Sequence, residues 1–413
     1  MNIANFTCAT RLWQRHETLS KIGATPNGGV DRAALTVNDF LAQKQLCEWG
    51  ASIGMTASRD RVGNLFLTLK GLDSQRAAVM SGSHLDSQPT GGKYDGVYGV
   101  LAALEACHAM VEAGFTPLSD IVVVAWMNEE GSRFAPGMMG SAYFSGQRSL
   151  EQILPVQDQK GITVERALQH SHEYLSHISI AEPPVPAYYL EAHIEQGPEL
   201  EKKHIPIGVV TGIQGKKTYR ITIEGEAAHA GTSPKRERKD ALLAAVRMIA
   251  DMDREFTDEH DLVKFTVGAL DVTPNAPSVV PERVVFSIDL RHPDNAVLRR
   301  FGDRVEAICQ SVSKPCSVQV EALSSAMSLT FSASMQKEIT TVSEKLGIKT
   351  LPLLSAAGHD ARYLHRICPS AMLFIPCHKG ITHNEKERIA IDDAHDGAKV
   401  LVNVLAELAC QRD

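Results

Sequence analysis

The stretch Gly82–Gly96, GSHLDSQPTGGKYDG, sets His84, Asp86 and Asp95 in one glycine-rich loop directly after the apolar run AAVM. Three further clusters of the same character follow. Asn128, Glu129 and Glu130 come straight after IVVVAWM; Glu191, His193, Glu195 and Gln196 lie in EAHIEQG after AYYL; His378, His383 and Glu385 lie in HKGITHNEKE after SAMLFIPC. Imidazoles and carboxylates in this mixture are ligands for divalent metals, and hydrolysis at a metal needs them together with an open coordination position and a base. Two ions about 3.5 to 4 Å apart also need one carboxylate able to bridge them. The clusters supply these parts: Asp95 as the bridge, His84 and His193 for one ion, Glu130 and His383 for the other, and Glu129 left free as the base. Asp86, two residues from His84, is placed to orient an imidazole from outside the ligand shell.

Each cluster taken singly has a plainer explanation. A His-x-Asp in a glycine-rich loop is more often a turn, adjacent glutamates are more often a solvated loop, and His193 is as readily a satisfied core histidine as a ligand. Directly after an apolar strand, however, Glu129 and Glu130 sit where charge is costly unless it is used. The convergence of four such loops at strand ends carries the reading. His108, His170, His172, His177 and His260 lie in helical or irregular polar stretches and add nothing to it. No phosphate-binding Gly-x-x-x-x-Gly-Lys loop, Gly-x-Ser-x-Gly elbow or His-Glu-x-x-His helix is present, so a serine or cysteine nucleophile has no local motif.

The elements that must position these residues alternate. Residues 37–53 read as an amphipathic helix with Val37, Phe40, Leu41, Cys47 and Trp49 on its apolar face. NLFLTLKG alternates as a strand and residues 77–81 read as a buried one; after the first loop come the helix VYGVLAALEACHAMVEAG and the buried strand IVVVAWM. Strand, loop, helix, strand predicts an α/β layer with a mostly parallel sheet flanked by helices, whose chemistry lies beyond the carboxyl ends of the strands. From about Gly215 to Ala322 the order becomes β-α-β-β-α-β, the order of a ferredoxin-like α+β unit. The expected organisation is therefore a catalytic domain in two parts, 1–212 and 326–413, with a smaller domain inserted at 213–325.

The 413-residue length suits two domains. A net charge of -7 and the absence of a basic stripe argue against nucleic acid. Eight scattered cysteines without a Cys-x-x-Cys pair predict free thiols in a reducing compartment. No run approaches eighteen apolar residues and the N-terminus has no signal-like pattern, so a soluble, cytoplasmic protein that does not engage a membrane is expected.

Several blocks together, GSHLDSQPTGGKYDGVYGVLAALE, NEEGSRFAPGMMGS, EAHIEQGPELE, GEAAHAGTSP, PNAPSVVPERVVFSIDLRHPD, AAGHDA and GITHNEKE, resemble the amidase/hydantoinase/carbamoylase branch of the M20 metallopeptidases. The resemblance implies a dinuclear amidohydrolase using Zn²⁺ or Mn²⁺, with Co²⁺ or Ni²⁺ as substitutes. It implies a homodimer formed through the inserted domain, which serves as a lid, and a small ureide substrate that bears a carboxylate. On this similarity Gln196 meets the substrate near the metals, His229 reaches across the dimer to the oxyanion, Asn275 and Arg291 bind the substrate carboxylate, and Gly358 contributes a backbone contact. For Arg291 the competing role is an internal ion pair with Asp289 or Asp294. Two departures, GTSPKRERKDA after His229 and SAAGHDA around Gly358, lie near substrate-facing elements and bear on specificity rather than on reaction type.

The implied reaction is hydrolysis of the ureido C–N bond of an N-carbamoyl amino acid. Allantoate and ureidoglycolate are alternative substrates. An aminoacylase or dipeptidase cleaving a plain amide is the competing activity, and an inactive dimeric binding protein the competing non-enzyme. Lys93 and Tyr94 have no assigned role.

Overall fold

The computed structural model describes residues 2–411. Contacts divide the chain into two compact units, one running to Thr211 and resuming at Phe331, the other Gly212–Thr330. The return to the first unit falls at Phe331, after the strand Ser317–Ala326 has run its full length, rather than at 326.

In the first unit four strands lie side by side and parallel, in the order Ser370–Ile375, Pro186–Ile194, Ala78–His84 and Ile121–Trp126. Antiparallel strands extend this layer. Ile207–Ile213 pairs with Ser370–Ile375, and Leu65–Leu69 pairs with Ile121–Trp126 and then with Thr56–Arg59. AVMSGSH and IVVVAW are buried along their whole length, as strands covered on both faces must be. Helices Val97–Glu112 and Ile391–Ala409 pack on each other and on the parallel strands, and their apolar faces join the strands in one core. The mixed α/β layer with a mostly parallel sheet agrees with the expectation from sequence.

Two details differ. NLFLTLKG does not alternate in burial: Leu65, Phe66 and Leu67 are all buried, because Leu65–Leu69 is an interior strand paired on both sides. The helix Val37–Ser52 turns Val37 and Leu41 to solvent. Its inner face instead takes Asp39 and Gln43, whose side chains bond to each other at 3.2 Å while Asp39 accepts the Leu35 N–H at 2.8 Å. A buried polar pair can occupy a core face that periodicity alone assigns to aliphatics, here with Gln43 Oε1 left without a partner.

The second unit has its own core, built from Ile221, Met248, Phe286, Phe301 and Ile308 among others. Along the chain it runs strand Gly215–Glu224, helix Ala241–Glu255, strands Lys264–Thr266 and Leu270–Thr273, strand Arg283–His292, helix Asn295–Val312 and strand Ser317–Ala326. Gly215–Glu224 pairs antiparallel with Arg283–His292 on one side and with Ser317–Ala326 on the other. Ser317–Ala326 is thus an edge strand among the described residues. All eight cysteines are free, and all but Cys8 and Cys410 are buried. No helix among the described residues is long and apolar enough to cross a membrane.

Candidate metal centre

The four parallel strands deliver four loops to one edge of the sheet. His84 ends one strand, Asn128–Glu130 follow Trp126, His193 lies at the end of Pro186–Ile194, and the loop after Ile375 brings in His383. Two groups of ligand atoms share Asp95, namely His84 with Asp95 and His193, and Asp95 with Glu130 and His383, and Glu191 with His193 and His359 forms a third; within each, all atoms lie within 4.8 Å of one another. Asp95 belongs to the first two. Its Oδ1 is 3.1 Å from His193 Nε2 and 3.8 Å from His84 Nε2, while its Oδ2 is 3.3 Å from His383 Nε2. Glu130 Oε2 is 3.4 Å from His383 Nε2 and accepts a 2.8 Å hydrogen bond from Gln88.

The donor types of these residues fit divalent cations. His84 Nδ1 lies 2.9 Å from the Asp86 carbonyl and His193 Nδ1 lies 2.9 Å from the Ile194 carbonyl. A carbonyl oxygen can only accept, so both Nδ1 atoms carry protons, and in the neutral rings the Nε2 lone pairs face the Asp95 carboxylate. Lone pairs facing a buried carboxylate repel unless a positive charge lies between them. Although burial opposes it, the Asp95 hydrogen bond and charge raise His193 to about 9, and the hydrogen bond to Asp95 raises His383 to about 9. In return the two imidazoles hold Asp95, despite its burial, well below the ordinary carboxylate range. His84 is left neutral, lowered to about 4 by burial.

Glu129 stands apart from both groups. Its Oε2 is 3.6 Å from His84 Nε2, and burial, followed by the charges of Asp360, Glu130 and Asp86, pushes its carboxyl well above the usual range. A carboxyl group beside both ligand groups and in neither is placed where a general base would be. The backbone of this turn is held by Asp86, whose two carboxylate oxygens accept the Glu129 and Glu130 N–H groups, each at 3.2 Å. Asp86 therefore orients His84 through its main-chain carbonyl, its own carboxylate being 3.7 Å from Nδ1 and engaged with the opposite loop.

Gln196 donates from Nε2 to Asp95 Oδ2 at 2.9 Å, while its Oε1 is buried without a partner. Gly358 lies exposed beside Met138, which a Cβ at that position would meet at 3.2 Å. The remaining sequence candidates lie in the second unit. His229 Nδ1 accepts the Gly231 and Thr232 N–H groups at 3.0 and 3.2 Å, so its ring proton sits on Nε2. Asn275 has a left-handed backbone, φ 53°. Arg291 forks onto Asp289 at 2.8 and 3.1 Å, the ion pair considered from sequence, and Lys216 Nζ is 3.1 Å from the same carboxylate.

Other polar residues in the four clusters do structural duty. Glu195 accepts the Glu199 and Leu200 N–H groups at the start of a short helix, His378 bonds Glu201, and Glu385 is held by Thr25 and Asn27. Glu191 is buried and receives Ser83, Tyr189 and the Ala361 N–H. Tyr94 stacks on Trp13 with ring centroids 5.7 Å apart, anchoring the first loop to the helix Ala9–Ser20. Thr382 and Glu387 are the members that sequence reading missed. Thr382 donates to Asp95 Oδ2 at 2.8 Å, and Glu387 Oε1 accepts the Tyr94 and Asp95 N–H groups. Their only sequence signal was nearness to His383.

Residues 80–407 match the family described as Peptidase family M20/M25/M40. The chain belongs to this family. It is 37% identical over 405 residues to an N-carbamoyl-L-amino-acid amidohydrolase of Rhizobium meliloti, covering 97% of this chain and 96% of that one. It is 32% identical over 404 residues to an allantoate amidohydrolase of Bacillus subtilis, covering 95% and 96%. The crystal structure of an amidase of the hydantoinase/carbamoylase family from Burkholderia multivorans is 38% identical, with a TM-score of 0.89 over 98% of this chain and 99% of that one. The M20 resemblance, and its carbamoylase branch, are borne out.

Proposed function

We propose that the protein is a metal-dependent amidohydrolase that cleaves the ureido C–N bond of an N-carbamoyl amino acid, releasing the amino acid, ammonia and carbon dioxide. The observation that carries this reading is one carboxylate, Asp95, common to two ligand groups, with Glu129 beside them and in neither. Relatives named for N-carbamoyl-L-amino acids and for allantoate direct it to ureides rather than peptides.

His84, Asp95 and His193 would hold one divalent ion and Asp95, Glu130 and His383 a second, zinc or manganese by the mixed imidazole–carboxylate donor set, with cobalt or nickel as substitutes. Bound there, the ions would polarise the ureido carbonyl and acidify a water. Glu129 takes the proton of the attacking water on its carboxylate and returns it to the leaving nitrogen. The unpartnered Gln196 Oε1 accepts an N–H of the ureido group, an interaction that a buried orphan acceptor favours. His229, contributed by a partner subunit, offers its Nε2–H to the oxyanion. Arg291 and Asn275 take the substrate carboxylate, Arg291 sharing its fork with Asp289, and the Gly358 backbone completes the contacts.

The second unit, with its strand-helix-strand-strand-helix-strand order, serves as a ferredoxin-like lid and as the dimer contact. Its edge strand Ser317–Ala326 and the exposed Leu243 and Val246, on the outer side of the helix Ala241–Glu255, are suited to pairing with a second copy. The protein works in the cytoplasm.

The test is ammonia release from N-carbamoyl-α-amino acids, N-carbamoyl-β-alanine, allantoate and ureidoglycolate, with N-acetyl amino acids and dipeptides alongside, in added Zn²⁺ or Mn²⁺. Turnover of an N-carbamoyl amino acid above the rest is expected. Preference for allantoate or ureidoglycolate would move the substrate within the ureides, and preference for the acetyl or peptide compounds would overturn the reading.

A further inference from the structure

We infer that Glu387 is a positioning residue for the bridging carboxylate: the turn bearing Asp95 is wrapped around it as around a bound anion. The inference rests on the metal-site reading above. Glu387 is 3% exposed and belongs to neither ligand group. Its Oε1 accepts two successive backbone N–H groups, Tyr94 at 2.8 Å and Asp95 at 3.1 Å. Successive N–H groups converging on one oxygen form the concavity in which proteins bind small anions, and here the anion comes from the same chain.

The other oxygen completes a link to the ligand itself. Thr382 Oγ1 lies 2.8 Å from Asp95 Oδ2 and 3.1 Å from Glu387 Oε2, so its one proton is offered to either of two carboxylates that it holds side by side. Glu387 thereby ties together the segments that carry Asp95 and His383, both members of the second ligand group. Gly92 makes room for it: a Cβ at that position would lie 2.0 Å from the Glu387 carboxyl carbon and Oε1. A bridge must offer one oxygen to each ion, which fixes its orientation about the Cα–Cβ bond. The main chain at 94–95 sets that orientation, and without an acceptor the buried Asp95 N–H and the half-buried Tyr94 N–H would lose their partner and the turn would refold to satisfy them.

The chain-length requirement separates this role from a simple need for negative charge. Glutamine keeps an acceptor for both N–H groups and can donate to Thr382, whereas aspartate keeps the charge and falls short. The experiment measures Zn²⁺ affinity and the number of ions retained by full-length metal-free protein in competition with a chelator. It uses Glu387→Ala, Glu387→Asp, Glu387→Gln and Gly92→Ala, with KM and kcat at saturating Zn²⁺. Glu387→Ala, Glu387→Asp and Gly92→Ala should weaken Zn²⁺ binding about 10–100-fold, with KM little changed, and Glu387→Gln should retain most of it. Unaltered affinity in Glu387→Asp, or a loss in Glu387→Gln as large as in Glu387→Ala, overturns the inference. His84→Ala and His383→Ala run in parallel: if they too retain both ions, the metal-site reading itself fails; if they lose zinc and the Glu387 variants do not, the positioning role alone fails.

Discussion

Glu129 Oε2 lies 3.6 Å from His84 Nε2, and the carboxylate of its neighbour Glu130 lies 3.4 Å from His383 Nε2. Consecutive glutamates thus face different histidines, one inside a ligand group and one outside. Their amide analogues should separate cleanly. Glu129→Gln is expected to keep its metal content while kcat falls about 10²–10⁴-fold; Glu130→Gln should lose metal. Metal analysis beside single-turnover kinetics checks both, and an active Glu129→Gln removes Glu129 from the base role.

Gly96 starts the helix Val97–Glu112 with φ 67°, and a Cβ there would lie 2.3 Å from the His84 ring. Gly96→Ala should therefore push His84 out of its ligand position and strain the helix start. The expected result is loss of zinc together with a lower Tm for the metal-free protein. Full zinc retention in this variant would mean that His84 is not a ligand.

The Nδ1 atom of His229 is occupied by two N–H groups, which leaves Nε2–H as its only donor. Replacing it with Ala should lower kcat about 10²–10³-fold, the usual loss of one oxyanion donor, and leave metal content untouched. A change confined to KM would instead make it a ground-state contact.

His16 supplies a pH prediction away from the metal ligands. Both its ring nitrogens are buried without partners, it stacks on Tyr98 with centroids 6.2 Å apart, and burial lowers it to about 3. Its folded value lies below the unfolded value of about 6.5, so below that pH the unfolded chain binds a proton that the folded chain does not. Stability from this site is complete above about pH 6.5 and declines as the pH falls toward 3. By pH 5 the decline amounts to ~2 kcal/mol. In His16→Leu, urea unfolding at pH 7 and 5 should show a smaller difference than in the unmodified protein. An equal difference would mean that His16 is already charged in the fold.

The types of the candidate site residues were legible in the sequence because metal hydrolysis admits few side chains, and because strands buried on both faces stand out as uninterrupted apolar runs. IVVVAW and SAMLFI announce their own ends, and with them the places where Glu129, Glu130 and His383 had to lie. The parallel layer followed from the same runs and from the helix after the first loop. What tertiary structure alone decided was which atom meets which. Asp86 reaches His84 with its carbonyl and spends its carboxylate on a turn forty-odd residues away. In NEKE, Glu385 goes to the N-terminal segment while Glu387 holds the Asp95 turn, 292 residues distant. On Val37–Ser52, Asp39 and Gln43 displaced Val37 and Leu41 from the core. Each of these outcomes depends on a buried backbone N–H or polar side chain finding its partner across the fold, and spacing along the chain holds no record of that approach.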